Sequence, residues 1–222
     1  MRIELATGTP AELALPADGR PPVLGVVLHP DIGGLRPLFD DLCARLAAEH
    51  DWAVCAPEPF PGRESMSLED RMAAVAGLED ESHIGDLLAA ADVLASHDAP
   101  RLAVMGFCMG GMYAFKAAGT GRFDKAVAFY GMIRVPANWQ GSGHGEPLQA
   151  MLSPGACPVL AIIGGRDPYT PPEDVAALKA VPAVTVVEYP EGEHGFVHDP
   201  SRPSHRPDDA ADAWSRTLAF LA

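Results

Sequence analysis

Six short runs of apolar residues, rich in β-branched side chains, recur along the chain. They cover residues 23–29, 52–57, 102–107, 126–130, 159–165 and 184–189. Within each run the apolar character is nearly continuous and does not alternate with polar residues. This pattern is typical of strands that are buried on both faces of a sheet. The chain is therefore predicted to contain six interior strands.

Segments with apolar residues at helical spacing separate these strands. They cover residues 36–50, 82–97, 108–119, 172–180 and 207–222. Because strands that alternate with helices form parallel β-α-β units, the order predicts an α/β fold with a mostly parallel central sheet and helices on both faces. Residues 131–158 show the least regular pattern and contain Gly and Pro, so we expect them to form a loop over one end of the sheet.

Length and charge narrow this interpretation. The chain has 222 residues, which fits one domain spanning 1–222. Its formal net charge of −14 argues against a nucleic-acid partner, because phosphate binding requires a basic surface. No stretch approaches the roughly 18 apolar residues of a membrane span, and the N-terminus lacks the apolar core of a signal peptide. The sequence therefore predicts a cytoplasmic protein without a membrane partner.

Cys108 lies where a predicted strand ends and a predicted helix begins, in the segment MGFCMGGM. Gly106 and Gly110 flank it at the spacing of a nucleophile elbow, a turn so sharp that its neighbours must lack side chains. The helix N-terminus favours a thiolate, and the N–H of Met109 would point toward a developing oxyanion. The alternative is a small buried apolar cysteine. Suitable partner residues would decide between the two interpretations.

Two such partners follow later strands. Asp167 comes just after the strand at 159–165, and His194 lies in the Gly-rich loop after the strand at 184–189. Nucleophile, acid and histidine is the chain order expected for this fold. Taken singly, Asp167 is a typical turn residue before Pro, and His194 is a typical solvated loop histidine. Together they predict a Cys108–His194–Asp167 triad, with His194 as base and later acid, and Asp167 fixing its tautomer.

The remaining cysteines and histidines favour no metal site. None of the four cysteines has CxxC or Cys/His metal spacing, and no histidine pair has HExxH spacing. In a reducing compartment free thiols are the default. The sequence therefore predicts an enzyme without a metal or another cofactor.

Three motifs carry a family resemblance. They are GFCMGGMYAF at 106–115, GGRDPYTP at 164–171 and GEHGF at 192–196. With them the chain resembles the dienelactone hydrolase family of α/β-hydrolases, in which a cysteine takes the place of the usual serine. The resemblance implies the α/β-hydrolase fold and hydrolysis of a small ester or lactone through an acyl-enzyme. It leaves the oligomeric state open.

The resemblance implies roles for further residues. The family carries an acidic residue after its first core strand that contacts the resting thiol and helps to form the thiolate; Asp31 stands there in place of the usual glutamate. The N–H of Ile32 matches the second oxyanion donor. Arg71 and His198 match the positions of two arginines that bind a substrate carboxylate, and Val75 stands where the family has a tyrosine. Since two of these three contacts are changed, strict dienelactone specificity is not expected.

Three hypotheses follow from these residues. The first is a dienelactone-hydrolase-like enzyme that cleaves a small ester or lactone through Cys108. The second is a broader carboxylesterase or thioesterase with another substrate, which the altered carboxylate contacts favour. The third is a non-catalytic protein of the same fold that binds a ligand or partner.

Overall fold

The computed structural model describes residues 1–222, apart from the side chain of Asp18. It contains eight strands: β1 (Arg2–Glu4), β2 (Pro10–Ala14), β3 (Leu24–His29), β4 (Trp52–Pro57), β5 (Leu102–Phe107), β6 (Lys125–Phe129), β7 (Val159–Gly164) and β8 (Val184–Tyr189). They form one sheet in the order β1-β2-β4-β3-β5-β6-β7-β8. The pairs β1·β2 and β2·β4 are antiparallel and all others are parallel. The prediction of an α/β fold with a mostly parallel sheet is confirmed.

Seven α-helices accompany the sheet: α1 (Pro37–His50), α2 (Leu68–Ala74), α3 (Asp80–Ser96), α4 (Met109–Ala118), α5 (Pro147–Met151), α6 (Pro172–Lys179) and α7 (Pro207–Leu221). Four of them begin with proline, whose fixed φ suits the first helical turn and whose missing N–H costs nothing there. The five predicted helices are all present, with ends that differ by one or two residues.

The prediction missed four short elements. The strands β1 and β2 have three and five residues, and the helices α2 and α5 have seven and five. Segments of this length span too few turns or alternations to produce a periodic signal. Helix α5 lies inside 131–158, so this segment is not the uninterrupted loop that its composition predicted.

The sheet separates two hydrophobic cores. Every residue of β3, β4, β5 and β7 is buried. Alternate side chains of β3 belong to different cores: Val27 packs in the core that includes Leu87 of α3, and Val26 in the one that includes Phe39 of α1. This arrangement explains why the sequences of these strands are apolar throughout. The prediction of an interior strand at 184–189 is wrong, because β8 lies at the edge of the sheet and only Tyr189 in it is buried.

The carboxyl ends of the parallel strands lie at one edge of the sheet and place the predicted functional residues there. Asp31 follows β3, Cys108 follows β5, Asp167 follows β7 and His194 follows β8. In open α/β sheets this edge is where ligands bind. In the part of the chain that the structure describes, no helix has the length and apolar character needed to cross a membrane.

Candidate active site

Cys108 occupies a strained turn between β5 and α4. Its φ is 57° and its ψ is −119°, a backbone conformation that residues other than glycine seldom adopt. A Cβ on Gly106 would lie 1.9 Å from the carbonyl oxygen of Gly110, and a Cβ on Gly110 would lie 2.2 Å from that of His29. The close approach of these backbones therefore requires both glycines. The turn leaves Cys108 partly exposed, whereas the other three cysteines are buried.

His194 and Asp167 form a hydrogen-bonded pair. Nδ1 of His194 lies 2.8 Å from Oδ2 of Asp167, and Oδ1 of Asp167 accepts a hydrogen bond from the N–H of Tyr169 at 2.9 Å. The carboxylate is fully buried, whereas 15% of the His194 side chain is exposed. Because Nδ1 is held by the carboxylate, Nε2 is the ring nitrogen left for proton transfer. This nitrogen is buried and has no hydrogen-bond partner among the described residues.

Neighbouring groups favour the protonated form of His194. Burial alone would lower its pKa, but the nearby Cys108 sulfur and the hydrogen bond to Asp167 outweigh burial and raise the pKa to about 10. A histidine with these two neighbours holds a proton that it receives from the thiol more firmly than a solvated histidine does.

The two backbone N–H groups predicted to bind an oxyanion belong to Ile32 and Met109. Ile32 lies in the loop after β3 and lines the same cavity as Cys108, and Met109 is the first residue of α4. Among the described residues, no acceptor takes a hydrogen bond from either N–H group. The first N–H groups of a helix have no partner within the helix, so Met109 can donate to an external oxygen.

Asp31 lies at the cavity but bonds to residues other than Cys108. Oδ1 accepts hydrogen bonds from the N–H of Gly33 at 2.8 Å and from Arg36 at 2.7 Å. Oδ2 lies 2.8 Å from the second terminal nitrogen of Arg36 and 2.9 Å from Nε2 of His198. Burial opposes ionisation of Asp31, but the bonds to His198 and Arg36 outweigh it and hold the pKa of this carboxyl well below its usual range. That Asp31 contacts the thiol stays a prediction.

His198 lies behind Asp31 and not at the cavity surface. Its side chain is fully buried, and Nδ1 hydrogen-bonds to the hydroxyl of Tyr130. The ring stacks on Phe107 and Phe39, with ring centroids 5.0 and 5.6 Å apart. Burial and the charges of nearby arginines lower the pKa of His198. This arrangement does not bring His198 to a substrate carboxylate.

Arg71 is also turned away from the cavity. Its side chain is 4% exposed and forms an ion pair with the buried carboxylate of Glu58 at 3.1 Å. It also donates to the carbonyl oxygens of Ile32 at 3.4 Å and Glu64 at 2.8 Å. A guanidinium with these partners stabilises the fold, so the geometry gives no support to the prediction that Arg71 binds substrate.

A cavity of about 550 Å³ opens at Cys108 and His194. Its walls are mostly apolar. The side chains that form them include Ile32, Leu68, Met72, Met132, Trp139 and Tyr169. Arg36 and Arg202 add two cations, which sequence analysis did not select. Arg36 follows a Gly-rich loop and Arg202 follows the histidine loop, but neither has a sequence signal that distinguishes it from other surface arginines.

Tyr130 is a further residue that sequence analysis missed. It directly follows β6, has a φ of 40° and is fully buried. Its ring meets the ring of His194 edge-on, with the centroids 5.2 Å apart. The rule that chemistry lies at the carboxyl ends of strands could have found it, but its apolar ring placed it in the predicted strand. Among the described residues, no group of three or more histidine, cysteine or acidic side chains is arranged to hold a metal ion.

Comparison with known proteins agrees with the resemblance seen in the motifs. The model of the dienelactone hydrolase family matches residues 10–222. A Salmonella typhimurium protein assigned as a carboxymethylenebutenolidase is 32% identical over 96% of this chain and 82% of its own. The carboxymethylenebutenolidase of Pseudomonas sp. strain P51 is 30% identical over 95% of this chain and 88% of its own. The crystal structure of a Klebsiella pneumoniae protein assigned as a dienelactone hydrolase has a TM-score of 0.86 at 28% identity, covering 100% of this chain and 97% of the other.

Proposed function

Because the chain belongs to the dienelactone hydrolase family, we propose that it hydrolyses a small ester or lactone through an acyl-enzyme on Cys108. His194 is the base and Asp167 orients it. The observation that carries the proposal is the 2.8 Å pair of His194 and Asp167 at the cavity that Cys108 lines. We also propose that residues 1–222 act as one α/β-hydrolase domain, which the continuous eight-stranded sheet supports.

Acylation begins when the proton of the Cys108 thiol moves to Nε2 of His194. The sulfur attacks the carbonyl carbon, a C–S bond forms, and an electron pair moves onto the carbonyl oxygen. The N–H groups of Ile32 and Met109 stabilise this oxyanion. A single donor of this kind is worth about 10²–10³ in rate. When the carbonyl re-forms, the bond to the leaving oxygen breaks and His194 gives that oxygen its proton.

Deacylation repeats the proton transfers with water. His194 takes a proton from a water molecule, whose oxygen attacks the thioester carbon. The C–S bond breaks, the carboxylic acid leaves, and the proton returns to the Cys108–His194 pair. With a lactone the leaving hydroxyl stays tethered to the acyl group. Attack by water must then be faster than ring closure.

The cavity leaves a second candidate, a broader carboxylesterase or thioesterase. Arg71 and His198 are both buried in contacts with other residues, so the carboxylate contacts expected from the family are not made by these two side chains. Arg202 lines the cavity, where its guanidinium can meet a substrate carboxylate. A panel of neutral and carboxylated esters and lactones separates the candidates. A preference above tenfold for carboxylated lactones, about 1.4 kcal/mol, favours the narrower function.

The proposed nucleophile is tested by the substitution Cys108→Ala. We expect turnover of esters and lactones to fall to the background rate, because Cys108 is the only thiol among the described residues that line the cavity. Cys157→Ala is the matched control, since this buried cysteine belongs to the core beside α4 and we expect unchanged turnover. The proposal fails if Cys108→Ala retains turnover and the variant is free of contaminating hydrolase.

A further inference from the structure

A second aspartate–histidine pair lies on the opposite side of β5 from the first. Asp31 follows β3, which pairs with one edge of β5, whereas Asp167 follows β7, which lies beyond the other edge. Behind Asp31 a buried chain of hydrogen bonds continues through His198 to Tyr130. The proposed mechanism assigns no step to His198 or Tyr130. Tyr130 nevertheless contacts the ring of His194, and His198 is hydrogen-bonded to Asp31 at the cavity.

The hydrogen bonds of this chain are consistent with one protonation state. The hydroxyl of Tyr130 donates to Nδ1 of His198, which leaves the single ring proton of a neutral imidazole on Nε2. Nε2–H then donates to Oδ2 of Asp31 at 2.9 Å. Burial holds the pKa of Tyr130 well above its usual range, so its hydroxyl keeps the donated proton. Every polar atom between Tyr130 and the carboxylate is thereby satisfied.

Asp31 has no vacant position for a thiol proton. Its two oxygens accept four hydrogen bonds, from Gly33, from both terminal nitrogens of Arg36 and from His198. A carboxylate offers about four acceptor sites, so taking a proton from Cys108 would break one of these bonds. The same bonds fix the start of the loop that carries the N–H of Ile32.

Tyr130 is fixed from several directions. Its N–H donates to the carbonyl oxygen of Ile162 at 2.7 Å, and its ring packs against the edge of His194. The ring of His198 stacks on the rings of Phe107 and Phe39. The hydrogen bonds from Tyr130 through His198 to Asp31 therefore connect the end of β6, the aromatic core and the loop at Asp31.

We propose that Tyr130 and His198 are positioning residues that hold Asp31, and with it the N–H of Ile32, in the oxyanion-binding arrangement. The proton of the Cys108 thiol goes to His194 and not to Asp31. This inference rests on the proposed function, because it assigns these residues to the same acylation step. Asp31 then anchors the loop that carries the oxyanion donor, and His194 alone forms the thiolate.

The test compares turnover with thiol reactivity in Tyr130→Phe, which removes only the hydroxyl. We expect kcat to fall about tenfold, less than the 10²–10³-fold loss of a whole oxyanion donor. KM should stay within about twofold, because the oxyanion exists only in the transition state and intermediates. The rate of Cys108 alkylation by iodoacetamide should keep its wild-type dependence on pH. The other three cysteines are buried and do not compete.

His194→Gln serves as the reference for thiol activation, and it should slow alkylation near neutral pH. His198→Gln and His198→Leu form a matched pair for positioning. The glutamine amide can accept from Tyr130 and donate to Asp31, so it should retain more activity than leucine, which can do neither. Purely structural damage would reduce the titratable fraction of Cys108 without this difference in kcat per active site.

Two outcomes overturn the inference: unchanged kcat in Tyr130→Phe, or slower alkylation at neutral pH in that variant, as in His194→Gln. The second outcome would make the Asp31 chain part of thiol activation. Failure of the proposed function is distinct, because it appears as turnover retained by Cys108→Ala. If Cys108→Ala is inactive and Tyr130→Phe is fully active, only the positioning role is wrong.

Discussion

Two aspartate–histidine pairs lie near Cys108 and behave in opposite ways. In the first, Nδ1 of His194 lies 2.8 Å from Asp167; in the second, Nε2 of His198 lies 2.9 Å from Asp31. The pairs are alike in composition and distance. Yet the pKa of His194 is raised to about 10, whereas the pKa of His198 is lowered. A carboxylate partner therefore does not by itself decide the protonation of a histidine.

The neighbours of each pair decide it. Burial opposes the charge on both rings, but the nearby Cys108 sulfur raises the pKa of His194, whereas the charges of Arg36 and Arg202 lower the pKa of His198. His198 is also fully buried, whereas part of His194 faces the cavity. The first pair is suited to moving a proton and the second to holding a loop.

Replacing the two histidines should show the largest difference between the pairs. We expect His194→Gln to lower kcat by about 10⁵-fold or more, the size of effect found when the base of a catalytic triad is removed. His198→Gln should cost far less, about tenfold, because the glutamine can keep both hydrogen bonds. Steady-state kinetics on one ester substrate measure both. Losses of similar size would show that the pairs do not have separate roles.

Replacing the two aspartates should give the next largest difference. Asp167→Asn should lower kcat by about 10⁴-fold, because an amide favours the wrong tautomer of His194. In the wild type, protonated His194 delivers a proton to the leaving oxygen, so activity should persist as pH rises and disappear near pH 10. The neutral amide of the variant would no longer raise the pKa of His194, and the loss of activity should move to lower pH.

Asp31→Asn is the matched control for the pH profile. It removes a carboxylate at a similar distance from the other histidine, so kcat should fall while the high-pH limb of kcat/KM stays near pH 10. A shift of this limb in Asp31→Asn equal to that in Asp167→Asn would contradict the separation of the two pairs.

The pair proposed to move protons was easier to predict from sequence than the pair proposed to hold the loop. Asp167 follows the buried strand β7 and His194 follows the edge strand β8, and apolar runs locate strand ends to within a residue. The elbow glycines carry a steric requirement that depends only on local backbone, so Cys108 was also identifiable.

Tyr130, Arg36 and the location of Arg71 were not predictable in this way. Tyr130 ends a predicted apolar strand, and the sequence does not indicate that its hydroxyl bonds to His198. Arg71 was assigned to substrate from its place in the chain, yet its partner Glu58 lies 13 residues away in sequence and meets it through the tertiary fold. Pairing of charges across the fold leaves no periodic signal in the sequence.

The buried ion pair of Arg71 and Glu58 supports the same loop as Asp31. Arg71 donates to the carbonyl oxygen of Ile32, and Glu58 accepts hydrogen bonds from the N–H groups of Leu35 and Phe60. The loop that carries the Ile32 N–H is thus held from both sides. On one side, Asp31 is held by its hydrogen bond to His198, which in turn bonds to Tyr130. On the other side, the loop is held by the almost completely buried ion pair of Arg71 and Glu58.

Arg71→Met should therefore affect stability more than catalysis. Removing one partner of a buried ion pair leaves an uncompensated charge on Glu58, which typically costs about 3–5 kcal/mol. We expect that loss in the free energy of unfolding measured by urea denaturation, with KM for carboxylated substrates nearly unchanged in the folded fraction. Arg202→Met is the control with the opposite expectation, because this arginine lines the cavity. Its unfolding free energy should change by less than about 0.5 kcal/mol while KM for carboxylated substrates rises. If Arg71→Met instead raised that KM and kept wild-type stability, Arg71 would bind substrate and the loop would depend on the Asp31 side alone.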